Sequence, residues 1–131
     1  MRPAPVPDRD GRPWWDALAR HELVAQRCRA CARLRWPPRA ICGECGALEW
    51  EWQALSGRAA VVSWVVNHHA FGDAFPLPYV VVMGRLDEQD DIVIPAGFEG
   101  DRDALAVGAP LVAAYADAEG FTALVWHLAQ G

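Results

Sequence analysis

The sequence predicts a mainly β chain: a short N-terminal helix, a small ribbon built on four cysteines, and a five-stranded β-barrel. Three observations carry this. All four cysteines fall within eighteen positions, as Cys28-Arg-Ala-Cys31, ten residues, then Cys42-Gly-Glu-Cys45. Beyond Gly57 the text consists of five runs rich in Val, Ile and aromatic residues, separated by Gly, Pro or charged turns. Ahead of the cysteines, Pro13 can open a helix that sets Trp14, Trp15, Leu18 and Ala19 on one side.

Residues 1–22 are expected to form an arm and this helix. Residues 1–13 hold four prolines and five charged residues, a composition for extended, poorly ordered chain. The opening Met-Arg-Pro-Ala-Pro-Val-Pro lacks the apolar stretch of a signal peptide, and no run of eighteen apolar residues follows. A cytoplasmic protein with no membrane association is the expectation. The helix, over 13–21, is too short to be stable alone, so its tryptophan face must pack on something. Two destinations stand: the chain's own barrel or ribbon, or another subunit, which would put Trp14, Trp15 and Leu18 at a partner interface.

Residues 23–55 are expected to form the ribbon. Each Cys-x-x-Cys turns the backbone tightly enough for two sulfurs to face one point. Two such turns supply the four soft ligands of a tetrahedral ion at Cys28, Cys31, Cys42 and Cys45. A closed four-cysteine set leaves no position for water or substrate, so the metal is structural, zinc first and iron as the alternative. Two disulfides or a redox pair are the competing readings. Gly43 and Gly46 stand where a knuckle often needs a positive φ. Leu23 to Ala25 leads into the first knuckle, and Leu34 to Pro38 links the two, with Trp36 covering the metal. Leu48 to Leu55 closes the ribbon as a half-buried strand with Trp50 and Trp52 on one face.

Charge is divided unevenly. Residues 1–45 hold nine arginines against five acids, +4, whereas residues 46–131 hold three against twelve, −9, for a total of −5. The C-terminal part is therefore a poor surface for a polyanion. Arg27, Arg29, Arg33, Arg35 and Arg39 cluster around the knuckles with no acid among them. They either offset the negative metal–thiolate centre or form a small phosphate-binding or partner-binding patch, with Arg35 and Arg39 the leading ligand candidates.

Residues 56–131 are expected to form the barrel. Ala60–Asn67, Tyr79–Leu86, Ile92–Phe98, Leu111–Tyr115 and Phe121–Leu128 read as strands, with turns at 87–91 and 118–120. Five strands in this length suit a small barrel, of which the OB-fold is the familiar form; an open five-stranded sheet is the alternative. The longest interruption, His68 to Pro78, joins the first two strands and is the expected ligand-facing loop. Its candidates are His68, His69, Phe71 and Phe75, with Tyr79 at its edge. Adjacent His residues on extended chain point apart, so they make a poor metal site. No nucleophile or paired carboxylate beside them completes an acid–base set, and no catalytic residue is assigned.

The order of these parts resembles a known family. Glu22 to Cys31, Arg35-Trp-Pro37-Pro38-Arg39, Cys42-x-x-Cys45-Gly46, Leu48-Glu-Trp50, Ser56-Gly57-Arg58, Pro78 to Val81 and Leu105-x-Val-Gly108-x-Pro110-Leu111 are similar to the bacterial and archaeal zinc-ribbon OB-fold proteins associated with acyl-CoA enzymes. The match runs from about residue 13 to 115. It departs at Ala59, where the family usually has glycine, and in the tail from Phe121 to Gly131, which lacks the usual proline. The resemblance implies a helix, a rubredoxin-like zinc ribbon and an OB barrel. It also implies a hetero-oligomer in which the small chain assists a thiolase-like enzyme, an aldolase, a synthase or a hydratase of lipid or steroid metabolism, and lines the path of the CoA thioester.

The leading functional expectation is thus a non-catalytic accessory subunit of an acyl-CoA-processing complex. A single-stranded nucleic-acid module is the runner-up, since barrels and ribbons of this kind both serve that use, although the −9 balance of residues 46–131 opposes it. A rubredoxin-like electron carrier would require iron.

Overall fold

The computed structural model describes residues 11–68 and 79–129. The arm before Gly11 and the loop from His69 to Pro78, with His69, Phe71 and Phe75, lie outside the described residues.

Helix α1, Arg12–Ala19, starts at Gly11 with proline in its first turn and ends through a left-handed residue, His21, at φ 58. There the His21 N–H reaches the Leu18 carbonyl (2.8 Å) and the Glu22 N–H the Ala17 carbonyl (2.9 Å), the paired bonds that close a helix when its next residue turns left-handed. Of the two destinations for its tryptophan face, α1 takes the chain's own core. Leu18 has 0% exposure and Trp14 8%, within the same apolar cluster as the barrel interior. Trp15 packs against that cluster while keeping part of its surface.

The ribbon is a three-stranded antiparallel sheet of β1 (Val24–Cys28), β2 (Leu34–Arg35) and β3 (Trp50–Ala54), with β1 in the middle. Both faces of the central strand are covered: Val24, Ala25, Gln26 and Cys28 are all buried. Trp50 and Trp52 share a face of β3, their rings edge to face at 5.1 Å.

The barrel comprises β4 (Arg58–Asn67), β5 (Tyr79–Leu86), β6 (Val93–Phe98), β7 (Pro110–Ala118) and β8 (Phe121–Leu128). Its order, β4-β5-β6-β8-β7 and back to β4, is closed, with β6 and β8 parallel and every other pair antiparallel. That is the OB-fold, and the open-sheet alternative falls away. β7 runs three residues beyond the expected Tyr115, because Ala116, Asp117 and Ala118 remain paired to β8. The segment entering β7 contains a single 3-10 turn, Arg102–Ala104, after which Leu105 enters the core.

Trp126 fills the barrel centre at 0% exposure, its indole N–H donating to the Ile94 carbonyl (3.0 Å). Its ring lies over Gly84, where a Cβ would come within 2.8 Å of it, so the strand needs glycine there. Val61, Val82, Ile94, Leu111 and Leu124 belong to the same buried cluster.

Two polar joints fasten the ribbon and helix to the barrel. The turn between β5 and β6 docks on β2: Leu34 N–H donates to Gln89 Oε1 (2.9 Å) and Gln89 Nε2 donates back to the Leu34 carbonyl (2.7 Å), imitating strand pairing. Arg33 pairs with Asp91 beside it. On the other side, His21 bonds both oxygens of Asp117 (2.9 and 3.1 Å) and stacks on Tyr115 at 5.0 Å.

Candidate metal centre and adjoining cavities

The two knuckles are built on one backbone pattern. In the first, Cys28 N–H donates to the Arg33 carbonyl and Ala32 N–H to the Cys28 carbonyl, both at 2.9 Å. In the second, Cys42 N–H donates to the Ala47 carbonyl (3.0 Å) and Gly46 N–H to the Cys42 carbonyl (2.9 Å). Each turn closes on a left-handed residue, Ala32 at φ 67 and Gly46 at φ 76. Gly43 has no positive φ. The Arg39 side chain lies beside it, with Arg39 Nη1 3.8 Å from the point a Cβ would occupy, an ordinary contact that a side chain would tolerate.

The four sulfurs lie within 4.8 Å of one another, Cys28 to Cys45 at 3.6 Å and Cys31 to Cys42 at 3.7 Å. Four sulfurs each ~2.3 Å from a central ion form a tetrahedron with edges of about 3.8 Å, so the spacing fits the ion closely. It is far beyond a disulfide bond, and all four are free cysteines. Cys28 and Cys42 are buried, whereas Cys31 and Cys45 are exposed.

The thiols compete for charge. N–H groups of Cys45 and Glu44 bring Cys42 down to about 6. At Cys28 the Cys31 N–H leads the causes that lower the thiol below its usual value. At Cys45 the Ala47 N–H also lowers the pKa, but the Cys28 thiol, burial and the other two thiols outweigh it and push it up to about 12. Four sulfurs held this close cannot all ionise without a cation between them, and a divalent ion supplies that charge. A structural zinc ion is the cofactor this set is built to hold.

The arginine cluster is not one patch. Arg27 and Arg29 face Glu51 at 3.4 and 3.9 Å and Arg33 pairs with Asp91, carboxylates that only folding brings near. Arg35 is buried. Its Nε donates to Gln26 Oε1 (2.7 Å), its Nη2 to the Arg39 carbonyl (2.8 Å), and its guanidinium lies 5.7 Å from the Trp50 ring centre. Gln26, fully buried, also takes the Arg39 N–H at 2.7 Å and so ties β1 to the second knuckle. Arg35 and Arg39 have no carboxylate partner among the described residues. They border a cavity of about 120 Å³ between the second knuckle and the β5–β6 turn, with Trp36, Cys42 and Asp91 also in its wall. Trp36, expected as a cover for the metal, divides its contacts between this wall and Trp14, 5.9 Å away.

His68 is exposed at the end of β4 and Tyr79 half-buried at the start of β5, paired opposite Asn67. The ribbon meets this hairpin at the other end, beyond Leu86, and a strand of ten residues spans up to ~30 Å. Arg35 and the pair His68 and Tyr79 therefore lie toward opposite ends of the β4–β5 hairpin. Sequence reasoning missed a larger cavity of about 460 Å³ lined by Phe98, Glu99, Asp101, His127 and Leu128, where His127 Nε2 stands 3.4 Å from Glu99 Oε2. Its lining comes from two strands far apart in sequence, so no local motif announces it.

Ribbon, closed five-stranded barrel and four-sulfur cluster together define a zinc-ribbon OB-fold protein. The profile described as the ChsH2 rubredoxin-like zinc ribbon domain matches residues 15–51, and that of the ChsH2 C-terminal OB-fold domain matches residues 52–116. The chain belongs to this ChsH2 family. A solved structure titled Ltp2-ChsH2(DUF35) aldolase contains a chain 33% identical, with a TM-score of 0.89, covering 97% of this chain and 100% of that one. A DUF35 protein of unknown function from Sulfolobus solfataricus shares the fold at 16% identity and a TM-score of 0.66, over 94% of this chain and 87% of that one. A probable enoyl-CoA hydratase alpha subunit from Thermomonospora curvata is 36% identical over 120 residues, 91% of this chain. The chain spans 37% of that protein's length.

Proposed function

We propose that this chain is a non-catalytic accessory subunit of an acyl-CoA-processing complex, with a thiolase-like enzyme, an aldolase or a hydratase as its partner, and that it aids assembly and acyl-CoA binding in a hetero-oligomer. The observation that carries this reading is the likeness to the ChsH2 chain of the Ltp2 aldolase over that chain's full length. The relative named as a hydratase subunit supports the same substrate class, with this chain matching part of it.

Within that role, Arg35 and Arg39 take the phosphate-bearing end of the CoA thioester. His68 and Tyr79, with His69, Phe71 and Phe75 of the loop, border the route toward the partner's active site. Because His68 and Tyr79 sit at the end of the β4–β5 hairpin away from the ribbon, they serve a different part of the assembly from the arginines. Trp15, the least enclosed of the three helix residues expected at the interface, is the anchor offered to the partner. Trp14 and Leu18 hold the helix in place behind it.

Affinity purification of the tagged chain from its host tests the role. An acyl-CoA enzyme should be recovered in fixed stoichiometry and lose activity when the chain is stripped away. Recovery of no such enzyme, or of one indifferent to the removal, would overturn it.

A further inference from the structure

The ribbon sheet ends on one side in β3, whose far edge meets no strand among the described residues. The ladder with β1 fixes which backbone groups point there. Leu55 N–H donates to the Leu23 carbonyl (2.8 Å) and Arg29 N–H to the Glu49 carbonyl (3.1 Å), so in the same register Glu51 and Gln53 are the β3 residues bonded to β1. Trp50, Trp52 and Ala54 take the alternate positions, opposite Cys28, Gln26 and Val24, and their N–H and C=O groups point away from β1. Cys28 agrees from the other side, since its N–H turns to the Arg33 carbonyl.

Soluble proteins guard such edges with proline, lysine, a bulge or a covering element. The opposite edge of this sheet is guarded, because Gln89 caps Leu34 there. β3 is not. It reads Trp-Glu-Trp-Gln-Ala, with no proline or lysine, and its register against β1 runs unbroken.

We propose that this edge is an interface between two copies of the chain, β3 pairing antiparallel with β3 of the second copy about a two-fold axis at Trp52. The chemistry of the strand selects that occupant and that register. Outward-pointing residues must oppose outward-pointing ones, which confines the axis to Glu51, Trp52 or Gln53. An axis at Glu51 sets that carboxylate directly against itself, which is repulsive. One at Gln53 sets Trp50 against Ser56, whose N–H already serves Glu88 (2.6 Å). The axis at Trp52 puts Trp52 opposite Trp52 and Trp50 opposite Ala54, so every outward group of β3 finds a partner. On one face the Trp50 and Trp52 rings of the two copies adjoin; on the other, Glu51 stands across from the neutral Gln53 of the second copy. The contact is isologous, so it closes as a dimer and does not propagate. It is separate from the accessory role and stands or fails without it.

Analytical ultracentrifugation of the zinc-loaded full chain, from micromolar to millimolar concentration, tests the interface. A reversible monomer–dimer equilibrium is expected. Ala54→Pro removes an N–H that β1 does not use, and should abolish the dimer. Gln53→Glu opposes two carboxylates at both symmetric positions and should weaken the dimer roughly 2- to 30-fold, whereas Gln53→Lys should tighten it. If Ala54→Pro fails to hold zinc, the two Gln53 variants decide. A chain monomeric throughout, a dimer that Ala54→Pro leaves intact, or Gln53→Glu and Gln53→Lys dimers of equal affinity would each overturn the proposal. So would Trp52 and Ala54 amides that gain hydrogen-exchange protection only with a co-purified enzyme, which would give the edge to a strand of that enzyme.

Discussion

At the scale of single residues, the two knuckles are one device written with different letters. Gly46 adopts its left-handed turn freely, whereas Ala32 does so at a cost of roughly 1–2 kcal/mol. Ala32→Gly should therefore raise stability in chemical denaturation, by at most about 1 kcal/mol, because glycine returns part of the gain as unfolded-state entropy. Cys42→Ser should release the zinc, and wild-type protein should release it as the pH falls, since protons compete for the thiolates; a chromophoric chelator reads both. Asp117 makes a different pH prediction. Its hydrogen bond to His21, then that from Thr122 Oγ1 (2.7 Å), hold its carboxyl below the usual range. A carboxyl lowered on folding stabilises fully above its unfolded pKa of about 4 and loses that contribution as the pH falls through the folded value. Asp117→Asn should thus lower the melting temperature at neutral pH and converge with wild type in acid.

At the scale of elements, the fold depends on where bulky rings meet small residues. Gly84→Ala would press a methyl group into the buried Trp126 ring at 2.8 Å, a clash the closed barrel cannot relieve, and should cost about 1–3 kcal/mol by thermal denaturation. Helix α1 divides its two tryptophans between tasks. Trp14→Ala should destabilise the isolated chain by about 3–5 kcal/mol, as truncations of buried Trp do. Trp15→Ala should leave the isolated chain folded and weaken assembly with the partner enzyme in gel filtration. The opposite pattern would move the helix's interface elsewhere.

At the scale of the molecule, the ribbon and barrel act as one body because side chains cross between them. Gln89 is the centre of that joint, and Gln89→Ala leaves the Leu34 amide and carbonyl without their partner. A loss of about 1–2 kcal/mol is expected, together with faster hydrogen exchange in β2. The distribution of charge bears on the runner-up function. With −9 over residues 46–131 the barrel repels polyanions, so single-stranded DNA should show no micromolar, salt-sensitive binding at low ionic strength.

The cysteine spacing, the five β-rich runs and the turn residues between them were enough to specify the ribbon, the five later strands and the metal ligands, because each rests on local geometry: a tight knuckle, a two-residue period, a chain reversal; closure into a barrel and not an open sheet was decided by the structure. Charge balance along the chain was equally legible. What required the tertiary structure was everything that joins distant segments. Leu18 reads alike whether it meets the chain's own barrel or another protein, and only packing assigns it. Arg27, Arg29, Arg33, Arg35 and Arg39 look equivalent in the sequence, yet three acquire carboxylates from β3 and the β5–β6 turn while Arg35 and Arg39 do not. Gln89 reads as an ordinary turn residue and His21 as the last residue of a short helix until Leu34 and Asp117 are brought to them. Local periodicity determines which elements form; which side chains finally face each other depends on how those elements close on one another, and that is decided by long-range packing.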